Sequence, residues 1–241
     1  MDRERILPRP DLPFVSFIVP TLNSERVLDA CLESIAGQDY PRDRLEVVVA
    51  DGGSEDATLS IIRSFEDRIP TRIVENHLKT GEAGKSAGVR ASSGDILAFV
   101  DSDNVLPAPE WLERMIAPFY DTAILASEPI EYTYRPADSA MTRYCALLGM
   151  NDPLCLFLGN YDRYCALTGR WTEIPHREED RGDYLKVEFA EGPLPTMGAN
   201  GFLIRRSVLA AIGIGDYLFD VDMLVALRDG STGRNVLQVA K

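Results

Sequence analysis

Short apolar runs alternate with amphipathic stretches through the first half of the chain. Residues 14–19, 45–50 and 96–100 are mostly apolar runs, the length of buried strands, and a shorter strand is expected over 72–75, around Ile73 and Val74. Between the first two, Val27, Leu28, Cys31, Leu32 and Ile35 recur at three- and four-residue spacing. That spacing predicts a helix over 25–37 with Asn23 or Ser24 as its cap. Ser54 is expected to cap a second helix reaching residue 65, with Glu55 and Asp56 in the first turn, where the helix dipole favours acids. Further helices are predicted over 82–92 and from Pro109 to 119, and a strand over 123–127. The alternation predicts an α/β fold, a mostly parallel central sheet with helices on both faces.

The second half changes character. Arg143-Tyr144-Cys145-Ala146-Leu147-Leu148-Gly149 nearly recurs as Arg163-Tyr164-Cys165-Ala166-Leu167-Thr168-Gly169, which reads as two helical segments with one packing pattern. A single echo is too little for a solenoid. Residues 171–186 are polar, with the charged run from His176 to Arg181, and read as a solvated loop. Strand-like sequence returns over 194–204, and 207–212 and 220–227 look helical.

Composition narrows the field. At 241 residues with 45% hydrophobic content, the chain can bury one large α/β core. Its formal charge of −13 argues against a nucleic-acid partner. No stretch approaches the roughly 18 apolar residues of a membrane span, and Met1-Asp2-Arg3-Glu4-Arg5 lacks the apolar core of a signal peptide, so the chain reads as cytoplasmic. Cys31, Cys145, Cys155 and Cys165 are too dispersed for a metal site, and Cys31 falls among core positions as a buried thiol.

Three predicted strands end in polar turns: Pro20-Thr21-Leu22-Asn23, Asp51-Gly52-Gly53-Ser54 and Asp101-Ser102-Asp103. Ligands of open α/β sheets bind beyond such carboxyl ends. Strand side chains alternate, so Asp101 and Asp103 aim at one spot, and paired carboxylates suit Mg²⁺ or Mn²⁺ with positions left for substrate phosphates. An isolated Asp-x-Asp can equally cap the next helix. A calcium loop is disfavoured, because no glycine stands at the sixth position from Asp101. No Gly-x-Gly-x-x-Gly follows the first strand and no Gly-Lys-Ser/Thr closes a P-loop, so phosphate binding would run through the metal.

Together these motifs resemble glycosyltransferase family 2, inverting nucleotide-sugar transferases of the GT-A fold. The resemblance spans residues 14–120 and returns over 196–228. It rests on Phe17-Ile18-Val19-Pro20-Thr21-Leu22-Asn23, on Val48-Val49-Ala50-Asp51-Gly52-Gly53-Ser54-Glu55-Asp56-Ala57-Thr58, and on the run from Gly88 to Asp103. It implies a single GT-A domain, with a nucleotide-sugar-binding half over 14–127 and an acceptor-binding half over 128–241. Implied donor contacts are Pro20, Thr21, Asn23, Glu25, Asp51, Gly52, Lys85, Asp101, Ser102, Asp103, Gly198, Ala199 and Asn200. Asp101 and Asp103 would hold Mn²⁺ or Mg²⁺, and Asp51 would meet the edge of uracil in a UDP-sugar. Asp220 matches the catalytic base, with Asp222 as its rival.

Two departures stand out. Lys85-Ser86-Ala87-Gly88 replaces the common Arg-Asn before the glycine, and Phe219 replaces the acid that usually precedes Asp220. A late metal-ligating histidine is also absent from residues 235–241, so either water completes the ligand set or the domain continues past residue 241. His77 and His176 are isolated and receive no catalytic role. Tyr161, Tyr164 and Trp171 could stack on sugars, but such aromatics are more often core. Expected acceptors are glycans or lipid-linked glycans, the latter placing the chain peripherally at the cytoplasmic face of a membrane. Two other readings stay open: a non-catalytic nucleotide-sugar or glycan-binding module, and a sugar nucleotidyltransferase, whose usual Gly-rich, Arg-containing first loop is missing.

Overall fold

Seven consecutive buried residues, Val15–Thr21, form strand β1, and a second such run, Leu45–Asp51, forms β2. Strands with no exposed face need cover on both sides, as in a parallel sheet. The structure, a computed structural model, describes residues 12–150, 152–189, 192–195, 200–229 and 236–240. The other strands are β3 (Thr71–Glu75), β4 (Ile96–Val100), β5 (Ala126–Pro129), β6 (His176–Asp180), β7 (Tyr184–Phe189), β8 (Asn200–Arg205) and β9 (Val236–Ala240). Among the described residues they make one sheet in the order β3-β2-β1-β4-β8-β5-β9-β7-β6. Only β8 and β7 run against the rest, so the sheet is mostly parallel.

The helices are α1 (Leu28–Ala36), α2 (Thr58–Ser64), α3 (Gly81–Ala91), α4 (Trp111–Ile116), α5 (Ala140–Leu148), α6 (Pro153–Leu158), α7 (Arg206–Ile212) and α8 (Asp220–Asp229). Alternate strand residues feed opposite cores. Val15, Phe17 and Val19 pack with α1, α2 and α4, while Ile18, Val48 and Phe99 pack with α3, α7 and α8. Each such fully buried side chain contributes about 1.5–3 kcal/mol. Glycine brings α3 onto β1: a Cβ on Gly88 would meet Ile18 Cγ2 at 2.5 Å and one on Gly84 would meet Pro20 Cβ at 2.8 Å. Thr80 caps α3, accepting from the Ala83 amide at 3.2 Å.

Antiparallel β8 matters most for the site. Its first residue, Asn200, pairs with Val100 at a register shift, so the start of β8 lies beside the strand that ends at Asp101. The carboxyl ends of β1 to β5 and the amino end of β8 thus share one edge of the sheet.

Several expectations are corrected. The helix expected from residue 25 begins at Leu28 with no side-chain cap, so neither Asn23 nor Ser24 serves that role. Ser54 does not cap α2, which starts at Thr58; its hydroxyl is drawn to Asp51 instead. Helix α4 starts at Trp111 rather than Pro109 and gives way to a 3₁₀ turn over Ala117–Tyr120, because Pro118 lacks an amide and crowds the preceding turn. The strand expected over 123–127 lies at Ala126–Pro129, and β8 starts at Asn200, not at 194. The first copy of the echo is α5, but the second is a turn closed by a Cys165–Arg170 bridge and tied by the Tyr164 amide to the Ile130 carbonyl. The polar segment from 171 is not a loop: β6 and β7 form a hairpin with Leu185 and Val187 buried and the charges of β6 outward, which suits a sheet edge.

Candidate active site

A cleft of about 770 Å³ opens at the shared sheet edge, lined by Pro20, Thr21, Asn23 and Glu25 on one side and by Asp101, Ser102 and Asp103 on the other. Asp101 is half-buried and Asp103 exposed. The Ser24 and Ser102 hydroxyls meet at 3.1 Å and tie the two sides together. Thr21 Oγ1 is buried with no hydrogen-bond partner among the described residues, an open polar atom in the cleft wall.

The loops after β1 and β2 are laced to each other. Asn23 Oδ1 accepts from the Glu55 amide at 2.9 Å, Glu25 Oε2 from the Ala57 amide at 3.1 Å, and Ser54 Oγ from the Asn23 amide at 2.8 Å. Asn23 adopts a left-handed φ of 50° to do so. Asp51, almost fully buried, accepts from the Gly53 and Ser54 amides and the Ser54 hydroxyl, which shapes the turn. Gly52 packs on Leu22: a Cβ there would meet Leu22 Cδ1 at 3.2 Å. The cleft also contains residues that the sequence did not single out, Arg26, Asn76, Lys79 and Thr80. Asn76, Lys79 and Thr80 lie just past β3, so the strand-end rule that found the other turns would have found them.

Beside Asp101, an ion pair joins the two halves of the chain. Lys85 Nζ on α3 contacts Asp220 Oδ1 at the start of α8 at 2.6 Å, with 6% and 25% of the two side chains exposed. Burial pushes the Asp101 carboxyl up to about 6, with Lys85 opposing the shift and Asp103, Asp220 and Glu82 adding to it. The Cys31 thiol beneath, a core thiol as expected, is pushed up to about 12 by burial and by Asp103 and Asp101. Asp222 is not brought to this group: it is exposed, and its Oδ2 accepts from the Phe219 amide at 3.2 Å. Phe219 stacks on Tyr217 in an exposed pair, centroids 6.0 Å apart.

On the other side, Asn200 Nδ2 donates to Tyr132 Oη at 3.3 Å, and the Tyr132 ring lies 5.3 Å from the Arg163 guanidinium. Gly198 and Ala199 lie outside the described residues. Tyr161 and Trp171 are buried, as core aromatics would be; Tyr164 is exposed. His77 pairs with Glu75, and His176 with Glu178, and neither histidine lines the cleft.

The donor chemistry fits a divalent cation: hard carboxylate oxygens, crowded by like charge that Lys85 opposes. Among the described residues no cluster of three or more metal-ligating side chains exists, so Asp101 and Asp103 would leave positions for water and phosphate.

The family model described as Glycosyl transferase family 2 matches residues 16–213. Glycosyltransferase AglE of Haloferax volcanii is 35% identical over 142 residues, covering 58% of this chain and 46% of that protein. Validoxylamine A glucosyltransferase of Streptomyces hygroscopicus subsp. limoneus is 34% identical over 108 residues, covering 44% and 24%. Among solved structures, mannosyltransferase PcManGT from Pyrobaculum calidifontis in complex with GDP-Man and Mn²⁺ has a TM-score of 0.62 at 22% identity, covering 100% of this chain and 58% of that one. S. aureus TarS 1–349 in complex with UDP-GlcNAc has a TM-score of 0.56 at 20% identity, covering 93% and 55%. At such identities the solved structures establish the fold, that of the GT-A glycosyltransferases. The chain spans less than half of the two curated relatives and just over half of the two solved ones.

Proposed function

The chain belongs to glycosyl transferase family 2, and from that premise we propose that it transfers a sugar, with inversion, from a nucleoside-diphosphate donor to an acceptor hydroxyl. The observation that carries the reading is the convergence of Thr21, Asn23, Asp101 and Asp103 on one cleft, with the Lys85–Asp220 pair adjoining Asp101. The donor is a UDP-sugar, with the nucleotide in the cleft and Asp51 at its base through a free lone pair. Lys85 supplies a cation close to the diphosphate. Gly198, Ala199 and Asn200 complete the sugar side.

Asp101 and Asp103 would hold Mn²⁺ or Mg²⁺, which when bound neutralises charge developing on the departing diphosphate. Asp220 takes the acceptor proton at Oδ2, because Lys85 engages Oδ1. Attack from the face opposite the diphosphate inverts the anomeric carbon in one step. The acceptor is a glycan or lipid-linked glycan; the enzyme named GalNAc(5)-diNAcBac-PP-undecaprenol beta-1,3-glucosyltransferase of Campylobacter jejuni, 34% identical over 98 residues, is a relative whose name specifies a lipid-linked acceptor.

Calorimetric titration of UDP tests the donor site. Binding is expected with Mn²⁺ present, and Asp103→Ala should weaken it by about tenfold or more, the loss of one charge-assisted contact. Binding of GDP in place of UDP would overturn the base assignment, and equal binding with and without metal would overturn the role of the two aspartates.

A further inference from the structure

Helix α3 carries two stripes at four-residue spacing. Gly84 and Gly88 press it onto β1, and on the opposite side Glu82, Ser86 and Arg90 line up one turn apart. The second stripe is bonded to the irregular segment from Gly213 to Phe219, which joins α7 to α8. The Leu218 amide donates to the Glu82 carbonyl at 3.0 Å, and the Ser86 hydroxyl donates to the Gly215 carbonyl. Arg90 Nη1 donates to that same carbonyl at 2.5 Å and to Ser86 Oγ at 2.8 Å. Leu218 is buried in one core with Val89 of α3 and Ile18 of β1. Directly after this segment stands Asp220, whose Oδ1 meets Lys85 of the same helix.

These bonds supply what the packing of α8 does not. The body of α8 is held by Met223, Leu224 and Leu227 in an apolar core, and apolar burial is non-directional. A group that takes a proton in a transition state must be held to about 0.5 Å. Misplacement by about 1 Å can cost about a hundredfold in rate. Directional bonds from a fixed helix give that precision, and α3 is fixed, because its glycines leave no space between it and β1. Its start, Thr80 and Gly81, lines the cleft, so the helix that borders the donor also holds the segment leading into the base. Neither Ser86 nor Arg90 lines the cleft itself. Arg90 is exposed, yet its guanidinium ends on a backbone carbonyl 125 residues away.

We propose that Ser86 and Arg90 are positioning residues for Asp220, fixing where its carboxylate stands relative to the donor by holding the Gly215 carbonyl. The proposal rests on the reading of Asp220 as the base.

Turnover of UDP-glucose, UDP-N-acetylglucosamine and GDP-mannose, read as nucleoside diphosphate released with water as acceptor, tests this. Arg90→Met keeps an apolar stem and removes the donors, and Ser86→Ala removes the hydroxyl. Each should lower kcat by about tenfold and leave the KM of the donor within about twofold. Thermal unfolding of Arg90→Met should stay close to that of the unsubstituted chain, because Arg90 is exposed. In an Asp220→Asn background the same changes should lower the residual rate by less than about twofold, since no base is left to position. Equal losses in both backgrounds would show a general loosening of the fold and overturn the proposal, as would an unchanged kcat in both variants. Turnover unchanged in Asp220→Asn would overturn the reading of the base and the proposal with it. Hydrogen exchange gives a reading that needs no donor: in Arg90→Met the Leu218 and Asp222 amides should exchange about tenfold faster while those of β1 do not change. Exchange equal to that of the unsubstituted chain would overturn the proposal.

Discussion

Replacing Asp220 by asparagine is expected to lower turnover of the nucleotide sugar, read as nucleoside diphosphate released with acceptor present, by about two to four orders of magnitude. Donor affinity should stay within about threefold of the original, since the amide keeps the shape of the group and the nucleotide cleft does not include it. The pairing with Lys85 makes the experiment informative. Lys85 is 6% exposed and contacts Asp220 at 2.6 Å, so the substitution leaves a buried ammonium without the carboxylate it contacts. Breaking a buried pair costs about 3–5 kcal/mol, less here because a quarter of the Asp220 side chain is exposed. Thermal unfolding and UDP affinity must therefore accompany the rate. A rate collapse with both near normal identifies the base. Asp222→Asn, altering an exposed group bonded to the Phe219 amide, should change the rate by less than about threefold. Collapse in Asp222→Asn with activity kept in Asp220→Asn would transfer the role to Asp222.

Local signals were legible where one physical cause acts alone. Strand β4 lies at Ile96–Val100, the residues of its apolar run, because a strand buried on both faces has nothing to interrupt it. The turns after β1, β2 and β4 were legible because strand ends at a shared edge converge. Side-chain destinations were not. Asn23 and Ser54 read as helix caps, a local use of short polar side chains, yet each serves the other loop about 30 residues away, a choice that only the assembled sheet presents. The β6–β7 hairpin was obscured by its charged edge strand, although Tyr184-Leu185-Lys186-Val187-Glu188-Phe189 alternates with the period of a half-buried strand. Lys85 and Asp220 were each singled out, but their contact spans 135 residues and no pattern along the chain announces it. The second copy of the echo had the sequence of α5 without its fate, because Arg163 is fixed from outside the segment.

Arg163 is where the largest stability effect is expected. Its Nη1 donates to Glu128 Oε2 and to Asp162 Oδ2, each at 2.6 Å, with the three side chains almost wholly buried. Glu128 lies in β5 while Asp162 and Arg163 open the turn that ends at Gly169, so the contact anchors the turn to the sheet. Two carboxylates share one guanidinium, and among the described residues Glu128 Oε1 and Arg163 Nε and Nη2 have no partner. Burial raises both carboxyls, with Arg163 opposing the rise. A carboxyl raised in the folded state keeps a proton that the unfolded chain releases. Its stabilising contribution is therefore complete below the unfolded value, about 4, and is lost as pH rises through the folded value. Arg163→Met should cost about 3–5 kcal/mol in urea unfolding, since it leaves two buried carboxyls without their cation. The same change removes the opposing charge, lifts both carboxyls further, and so makes the cost greater near pH 8 than near pH 5, by about 1.4 kcal/mol per unit of added shift. Glu128→Gln provides the contrast. A neutral amide replaces a carboxyl that burial already drives toward its neutral form, so its cost at pH 5 should be about 1 kcal/mol or less and its stability should change less between the two pH values than that of the unsubstituted chain. An Arg163→Met cost below about 1 kcal/mol, or one equal at both pH values, would mean that this cluster does not hold the turn to the sheet through charge.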